Sequence, residues 1–264
     1  MAPVADGPPV LAEGKPTIVS TWMCPFAQRS LLALNAGGAP YSHHELGEGE
    51  LYSKPAWFTD LNPAGLVPTL AWLHKGERRV LTESLIINEF VAEGLDCPNP
   101  LLPADPFERA RARLVIDRFG SKAVPQFYAL LLRKDEAERA AARAALDAQL
   151  EWLAAEGLSA KGPWALEGWG APSLVDCAVL PFLLRLPVLA HYRGYAPPPA
   201  ASDRLAAYVE AARAHPSVAA TMVHPAGHDY ASALIESYAK YADGTANSQV
   251  AREIKSKAAA TTTK

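Results

Sequence analysis

Thr17-Ile18-Val19-Ser20-Thr21-Trp22-Met23-Cys24-Pro25-Phe26-Ala27-Gln28-Arg29-Ser30-Leu31-Leu32-Ala33-Leu34 decides the fold. Its first six residues are an extended, β-type run, and Gln28 to Leu34 read as helix. Cys24 therefore sits at a strand-to-helix junction. Unpaired N–H groups and the positive end of the helix dipole favour an anion there. A cysteine at this place is expected to ionise more readily than a free one. Pro25 fits the first helical turn, where its missing N–H is no loss. Ala27 stands where a Cys-x-x-Cys pair would have its second thiol, so the site has one thiol and needs an external one to complete a cycle.

Around this unit the first hundred residues mix strand and helix signals. Gly37-Gly38-Ala39-Pro40 turns the chain into an alternating strand over 41–46, and an irregular segment holds Lys54-Pro55-Ala56-Trp57-Phe58. Two short apolar runs, 67–73 and 79–81, flank a hairpin turn at Lys75-Gly76-Glu77, and Ser84 starts a helix bearing Leu85, Ile86, Phe90 and Val91. Four prolines (Pro98, Pro100, Pro103 and Pro106) mark a linker over 96–106. Beyond it strand signals vanish. A long helix is expected over 107–133 with a kink at Pro125, another over 135–157, and more near 203–214 and 230–241. Ser173 and Asp176 form a capping-box pattern before an apolar helix, read as structural. The division is thus a flexible head at 1–16, an α/β domain at 17–95, the linker, an all-α domain at 107–243 and a frayed tail at 244–264.

Bulk properties exclude several classes. At 264 residues the chain accommodates two cores, and a net charge of −3 gives no general pull toward nucleic acid. The arginines at 109, 111, 113 and 118 alternate with acids and read as a solvated face. No run approaches the 18 or so apolar residues of a membrane span. Three cysteines at unrelated positions argue against a disulfide scaffold and for a reducing, cytoplasmic setting. His43 and His44 point to opposite faces of a strand, and Pro225 and Gly227 interrupt the His224/His228 spacing, so no metal site is expected. Cys97 has no cationic neighbour in sequence, and Cys177 reads as a small buried hydrophobe.

Two further segments bear on chemistry. At Val67-Pro68 a proline opens a would-be central strand, which is penalised unless the backbone is special. A cis bond that turns the Val67 amide and carbonyl toward an extended ligand is one reading, and a trans proline in an edge loop is the other. At Glu83-Ser84 a carboxylate, a hydroxyl and free N–H groups converge on a helix start. That corner suits an α-amino acid, and it equally suits an ordinary capped helix.

Taken in order and at their spacing, 24–29, 54–58, 62–68 and 83–87, followed by 101–106 and 172–176, resemble the cytosolic glutathione transferases. The resemblance is strongest to the cysteine-bearing omega and lambda classes, with similarity also to dehydroascorbate reductases. It implies a thioredoxin-like α/β domain followed by an all-α domain, with glutathione as co-substrate and no metal. It implies that Cys24 forms a mixed disulfide with glutathione, with Phe26 beside the sulfur. Val67 and Pro68 would meet its cysteinyl part, Glu83 and Ser84 its γ-glutamyl end, and Lys54 its glycyl carboxylate. The expected activity is glutathione-dependent thiol transfer or dehydroascorbate reduction, by a monomer or homodimer. The alternatives are a carrier of aromatic ligands in a cleft formed by Trp22, Phe26, Phe119 and Tyr128, and a weak conjugating transferase.

Overall fold

The structure, a computed structural model, describes residues 7–262. The sheet is built from β1 (Thr17–Ser20), β2 (Ser42–Glu45), β3 (Thr69–His74) and β4 (Glu77–Thr82), in the order β2-β1-β3-β4. β2 runs parallel to β1, and β3 and β4 are antiparallel to their neighbours. Lys75 and Gly76 both take positive φ (53° and 78°) and close the β3–β4 hairpin in two residues, the geometry whose twist suits a hairpin. Helices α1 (Pro25–Gly37), α2 (Glu48–Ser53), α3 (Ala56–Leu61) and α4 (Ser84–Gly94) complete a thioredoxin-like domain. The segment expected to be irregular around Lys54–Phe58 is instead α2 and α3, two helices too short to show a period in sequence.

Helix α1 is buried almost all round, because the sheet and α4 take one side and the second domain the other. Leu31, Leu32 and Leu34 are each at most 4% exposed, and such burial stabilises by about 1.5–3 kcal/mol per side chain. Gly38 ends the helix at φ 72°, its N–H returning to the Leu34 carbonyl at 3.1 Å.

The all-helical part comprises α5 (Pro106–Arg118), α6 (Val124–Leu132), α7 (Glu136–Trp152), α8 (Leu174–Leu183), α9 (Leu186–Arg193), α10 (Pro199–Ala214), α11 (Pro216–Ala219), α12 (Tyr230–Ser237), α13 (Ala239–Ala242) and α14 (Gln249–Thr262). The single helix expected over 107–133 is two, joined by a π-type turn at Phe119–Ala123. Pro125 has no N–H to give to that turn, and Val124 N–H reaches back to the Phe119 carbonyl, so the chain absorbs the proline in a widened turn. The helix expected over 135–157 likewise ends in a π-turn, Leu153–Gly157. Ser173 caps α8 and Asp176 completes the capping box as expected: one Asp176 oxygen accepts from Ser173 N–H and Oγ–H (2.7 and 2.6 Å), the other from Ala165 N–H and Tyr208 OH (2.9 and 2.5 Å).

Three expectations are corrected. The tail is not frayed throughout: α14 lies on α6, and Ala251 and Ile254 are buried. The head is not loose over its described part, since Leu73 N–H bonds the Ala12 carbonyl and Glu13 accepts the amides of Lys75 and Gly76; residues 1–6 lie outside the described residues. One helical stretch, Leu174–Arg193, is long and apolar enough by composition to cross a membrane. It is 78% buried in the helical domain, and α8 gives way to α9 at Leu184–Arg185. The linker touches both domains, with Asn99 bonded to Gly37 and Ala36 and the Leu101 carbonyl accepting Leu174 N–H. The arginines of α5 are engaged, Arg113 with Glu89 and Glu93 and Arg118 over the Trp152 ring at 3.8 Å.

Candidate active site

Sheet register gathers the candidate residues at one end. Val19 pairs with Thr69, and Thr69 with Thr82. The chain leaving β1 for Cys24, the Val67-Pro68 step entering β3, and Glu83-Ser84 leaving β4 therefore share an edge. β2, parallel to β1, delivers α2 and Lys54 to the same end.

Cys24 is the N-cap of α1, with extended backbone (φ −80°, ψ 119°). Its amide donates to the Thr21 carbonyl at 3.1 Å, and its own carbonyl takes Gln28 N–H at 3.0 Å. The side chain is half-buried, and its thiol faces the Val67 carbonyl at a long 4.0 Å. The Val67–Pro68 bond is cis, which decides between the two readings of that step. Burial is the largest influence on Cys24 and pushes its thiol up. The amides of Ala27 and Phe26 and the charges of Arg185 and Arg29 pull it back, and the net direction is upward. The expectation of a readily ionised thiol is thus corrected: the helix start helps as argued, but burial outweighs it.

Glu83 caps α4 without a side-chain cap bond and at φ 69°, and its carboxylate is exposed. Among the described residues neither that carboxylate nor the Ser84 hydroxyl has a partner, while Ser30 Oγ donates to the Ser84 carbonyl at 3.3 Å. Lys54 also has positive φ (46°). Its side chain lies along the 62–65 loop, with Nζ 3.5 Å from the Ala64 carbonyl. A Cβ on Gly65 would stand 2.7 Å from Lys54 Cδ. That loop is itself held by Asn62, whose Nδ2 donates to Leu66 O at 2.9 Å and Thr69 Oγ1 at 3.0 Å.

The helical domain adds groups that the motifs do not announce. Arg185 donates to the Met23 carbonyl beside Cys24 at 2.9 Å and to Tyr238 OH at 3.0 Å. Arg29 donates to Ala178 O at 2.8 Å. Gln28 bonds Thr221 Oγ1 at 3.0 Å. Phe26 stacks on Tyr128 (6.4 Å between centroids) and meets Phe182 edge-on at 5.4 Å. Beneath the loop, Glu45 is fully buried and accepts Trp22 N–H at 2.6 Å, its other oxygen 3.1 Å from His43 Nε2. A lone arginine inside the apolar run 174–189 was the sequence signal for Arg185, because an isolated buried charge asks for an explanation. Gln28, Arg29 and Glu45 had no such mark.

The aromatic cleft expected from Trp22, Phe26, Phe119 and Tyr128 does not form as one surface. Phe119 and Tyr128 each pack against Phe182, whereas Trp22 packs on His224 and Tyr230; all but Phe26 are at most 4% exposed. His43 and His44 face opposite ways, toward Ser20 and Trp57, and the His224 and His228 rings are stacked at 4.6 Å.

The family model for the glutathione S-transferase N-terminal domain matches residues 23–93, and that for the C-terminal domain matches 136–211. Glutathione S-transferase omega-1 of Mus musculus is 33% identical over 182 residues, covering 69% of this chain and 71% of that protein. Pyrimidodiazepine synthase of Drosophila melanogaster is 38% identical over 112 residues, 42% of this chain and 44% of that one. The crystal structure of glutathione transferase Omega 3C from Trametes versicolor matches at a TM-score of 0.68 and 34% identity, over 78% of this chain and 88% of that chain. A rice glutathione transferase in complex with glutathione matches at 0.68 and 26% identity, over 85% and 97%.

Proposed function

The chain belongs to the glutathione transferase family and is omega-like, and from that premise we propose that it is a glutathione-dependent thiol transferase or reductase with Cys24 as nucleophile. The observation that carries this reading is a single thiol at the N-cap of α1, with Ala27 where a resolving cysteine would stand. The Cys24 thiolate attacks the glutathione sulfur of a mixed disulfide, forming a Cys24–glutathione disulfide and releasing the substrate thiolate, which takes a proton. A second glutathione thiolate attacks that disulfide, regenerates Cys24 and leaves as oxidised glutathione. With dehydroascorbate as acceptor, two glutathiones supply the two electrons and two protons that reduce it.

Glutathione carries two carboxylates and one ammonium, so an extended groove with both charge signs suits it. Val67 and Pro68 border the thiol, Glu83 and Ser84 are unspent at the start of α4 for the γ-glutamyl end, and Lys54 lies along the neighbouring loop for the glycyl carboxylate. Phe26 supplies its ring and backbone amide next to the sulfur. We place the protein in a reducing compartment such as the cytosol, in line with its three unbridged cysteines. A homodimer is our reading of the exposed Ile86 on α4 and Phe107 and Leu114 on α5, which are 56%, 68% and 68% exposed. The carrier reading finds less support, because the rings it needs are buried.

The test is glutathione-coupled turnover of a small glutathionylated disulfide and of dehydroascorbate by wild type and Cys24→Ser. Loss of both activities in the variant supports the reading; retention in the variant, or no turnover by wild type, refutes it.

A further inference from the structure

Two guanidinium groups beside Cys24 are buried without an anion. Arg185, at the corner between α8 and α9, is 0% exposed. It donates to Met23 O, Pro181 O, Gln28 Oε1 and Tyr238 OH, all of them neutral acceptors. Arg29, on α1, is 3% exposed. It bonds Ala178 O, leaves Nη2 without a partner, and holds its guanidinium 4.8 Å from the Phe182 ring centre and 5.5 Å from that of Phe26. Among the described residues no carboxylate lies within ion-pair distance of either arginine, whereas the more accessible Arg111, Arg113 and Arg139 of α5 and α7 have acidic partners. Taking a full charge out of water is costly, and proteins ordinarily offset it with an opposite charge. The groups near them able to become that charge are the Cys24 thiol and the hydroxyls of Tyr128, Tyr230 and Tyr238, and of these a thiol ordinarily gives up its proton most easily.

We propose that Arg29 and Arg185 are the counter-charges of the Cys24 thiolate: positioning residues, one from each domain, that offset part of what burial costs that anion as it forms. Arg185 has a second task, because its bond to the Met23 carbonyl fixes the turn from which Cys24 projects. The other ionisable groups facing Cys24 are Tyr128 on α6 and Tyr238 and Tyr241 from α12–α13, all held protonated by burial. They bring no competing negative charge at working pH. Arg29 and Arg185 are also among the influences that lower the Cys24 thiol against the opposing effect of burial. Arg29 itself is drawn down to about 10 by burial, as expected of a cation waiting for its anion. One consequence is that the first domain's nucleophile depends on a charge belonging to the second.

The proposal rests on Cys24 working as a thiolate, and its test needs neither glutathione nor turnover, so the two can fail separately. Alkylation of Cys24 by iodoacetamide is followed from about pH 6 to about pH 11 by mass spectrometry of the Cys24 peptide, which sets Cys97 and Cys177 aside. Arg29→Gln is expected to raise the midpoint by about one pH unit and slow alkylation about tenfold at neutral pH. Arg29→Lys is expected to recover most of that loss, and Arg185→Gln to shift the midpoint in the same direction. Should the glutamine variants not fold, Cys24→Asp is compared with Cys24→Asn: the carboxylate is expected to melt higher at neutral pH. Unchanged midpoints in folded glutamine variants, or an asparagine variant as stable as the aspartate one, overturn the proposal.

Discussion

Replacing Asp176 tests how firmly the second domain presents its half of the site. Its two oxygens take four donors: two backbone amides, Ser173 and Ala165, and two hydroxyls, Ser173 and Tyr208. All of this is buried, at the start of the helix that carries the Ala178 carbonyl and leads into Arg185. Asp176→Ala strands four buried donors and leaves a small void, a loss of about 3–5 kcal/mol. Asp176→Asn keeps the shape but turns an amino group toward one pair of donors. The hydroxyl of that pair can rotate away and the backbone amide cannot, so the loss is about 1–3 kcal/mol. At about 2–4 °C per kcal/mol for a chain of this size, the alanine variant is expected to melt about 6–20 °C below wild type, with asparagine in between. Thermal unfolding by circular dichroism, with turnover measured well below the melt, reads both effects. An alanine variant within about 2 °C of wild type would refute the reasoning that Asp176 anchors this helix.

Other consequences are open to measurement. Because burial lifts the Cys24 thiol, its alkylation rate in wild type is expected to climb about tenfold per pH unit through neutrality, still rising at about pH 8.5; a plateau below pH 7 would contradict that direction. Gly65→Ala puts a Cβ against Lys54 in a left-handed backbone position (φ 59°) and costs about 1–2 kcal/mol. A several-fold higher KM for glutathione with nearly unchanged kcat is expected from the displaced lysine, and an unchanged KM would take Lys54 out of the site. Glu45→Gln weakens the anchor on Trp22 N–H by about 1.5–3 kcal/mol in stability and loosens the Cys24 turn, so kcat should fall more than KM changes; equal kcat would show the turn is held without it. In solution, Ile86→Asp combined with Leu114→Asp is expected to convert a dimer to a monomer by light scattering, whereas a wild-type monomer would remove the dimer reading.

The first domain was legible because its signals are local. Thr17–Leu34 contains a strand, a cap and a helix in one continuous pattern, and Val67-Pro68 announces itself by a proline in the wrong place for a strand. The second domain was legible only as helices. Its π-turns, one of them absorbing Pro125, are local features that a simple period hides, and α14 carries too few apolar residues to stand out. What escaped entirely was the pairing of domains. Gln28 and Arg29 look like solvent-facing residues of an amphipathic helix, and nothing within α1 says that a second domain will cover that face. The expected direction for Cys24 was reversed as well, since burial outweighs the helix start on which the sequence argument rested.

The central claim is that Cys24 becomes covalently bonded to glutathione. Intact-mass and peptide mapping after incubation with oxidised glutathione tests it directly. One glutathionyl adduct per chain, located on Cys24, removed by reduced glutathione and absent in Cys24→Ser, is the predicted result. An adduct confined to Cys97 or Cys177, or none while glutathione still binds, would contradict it.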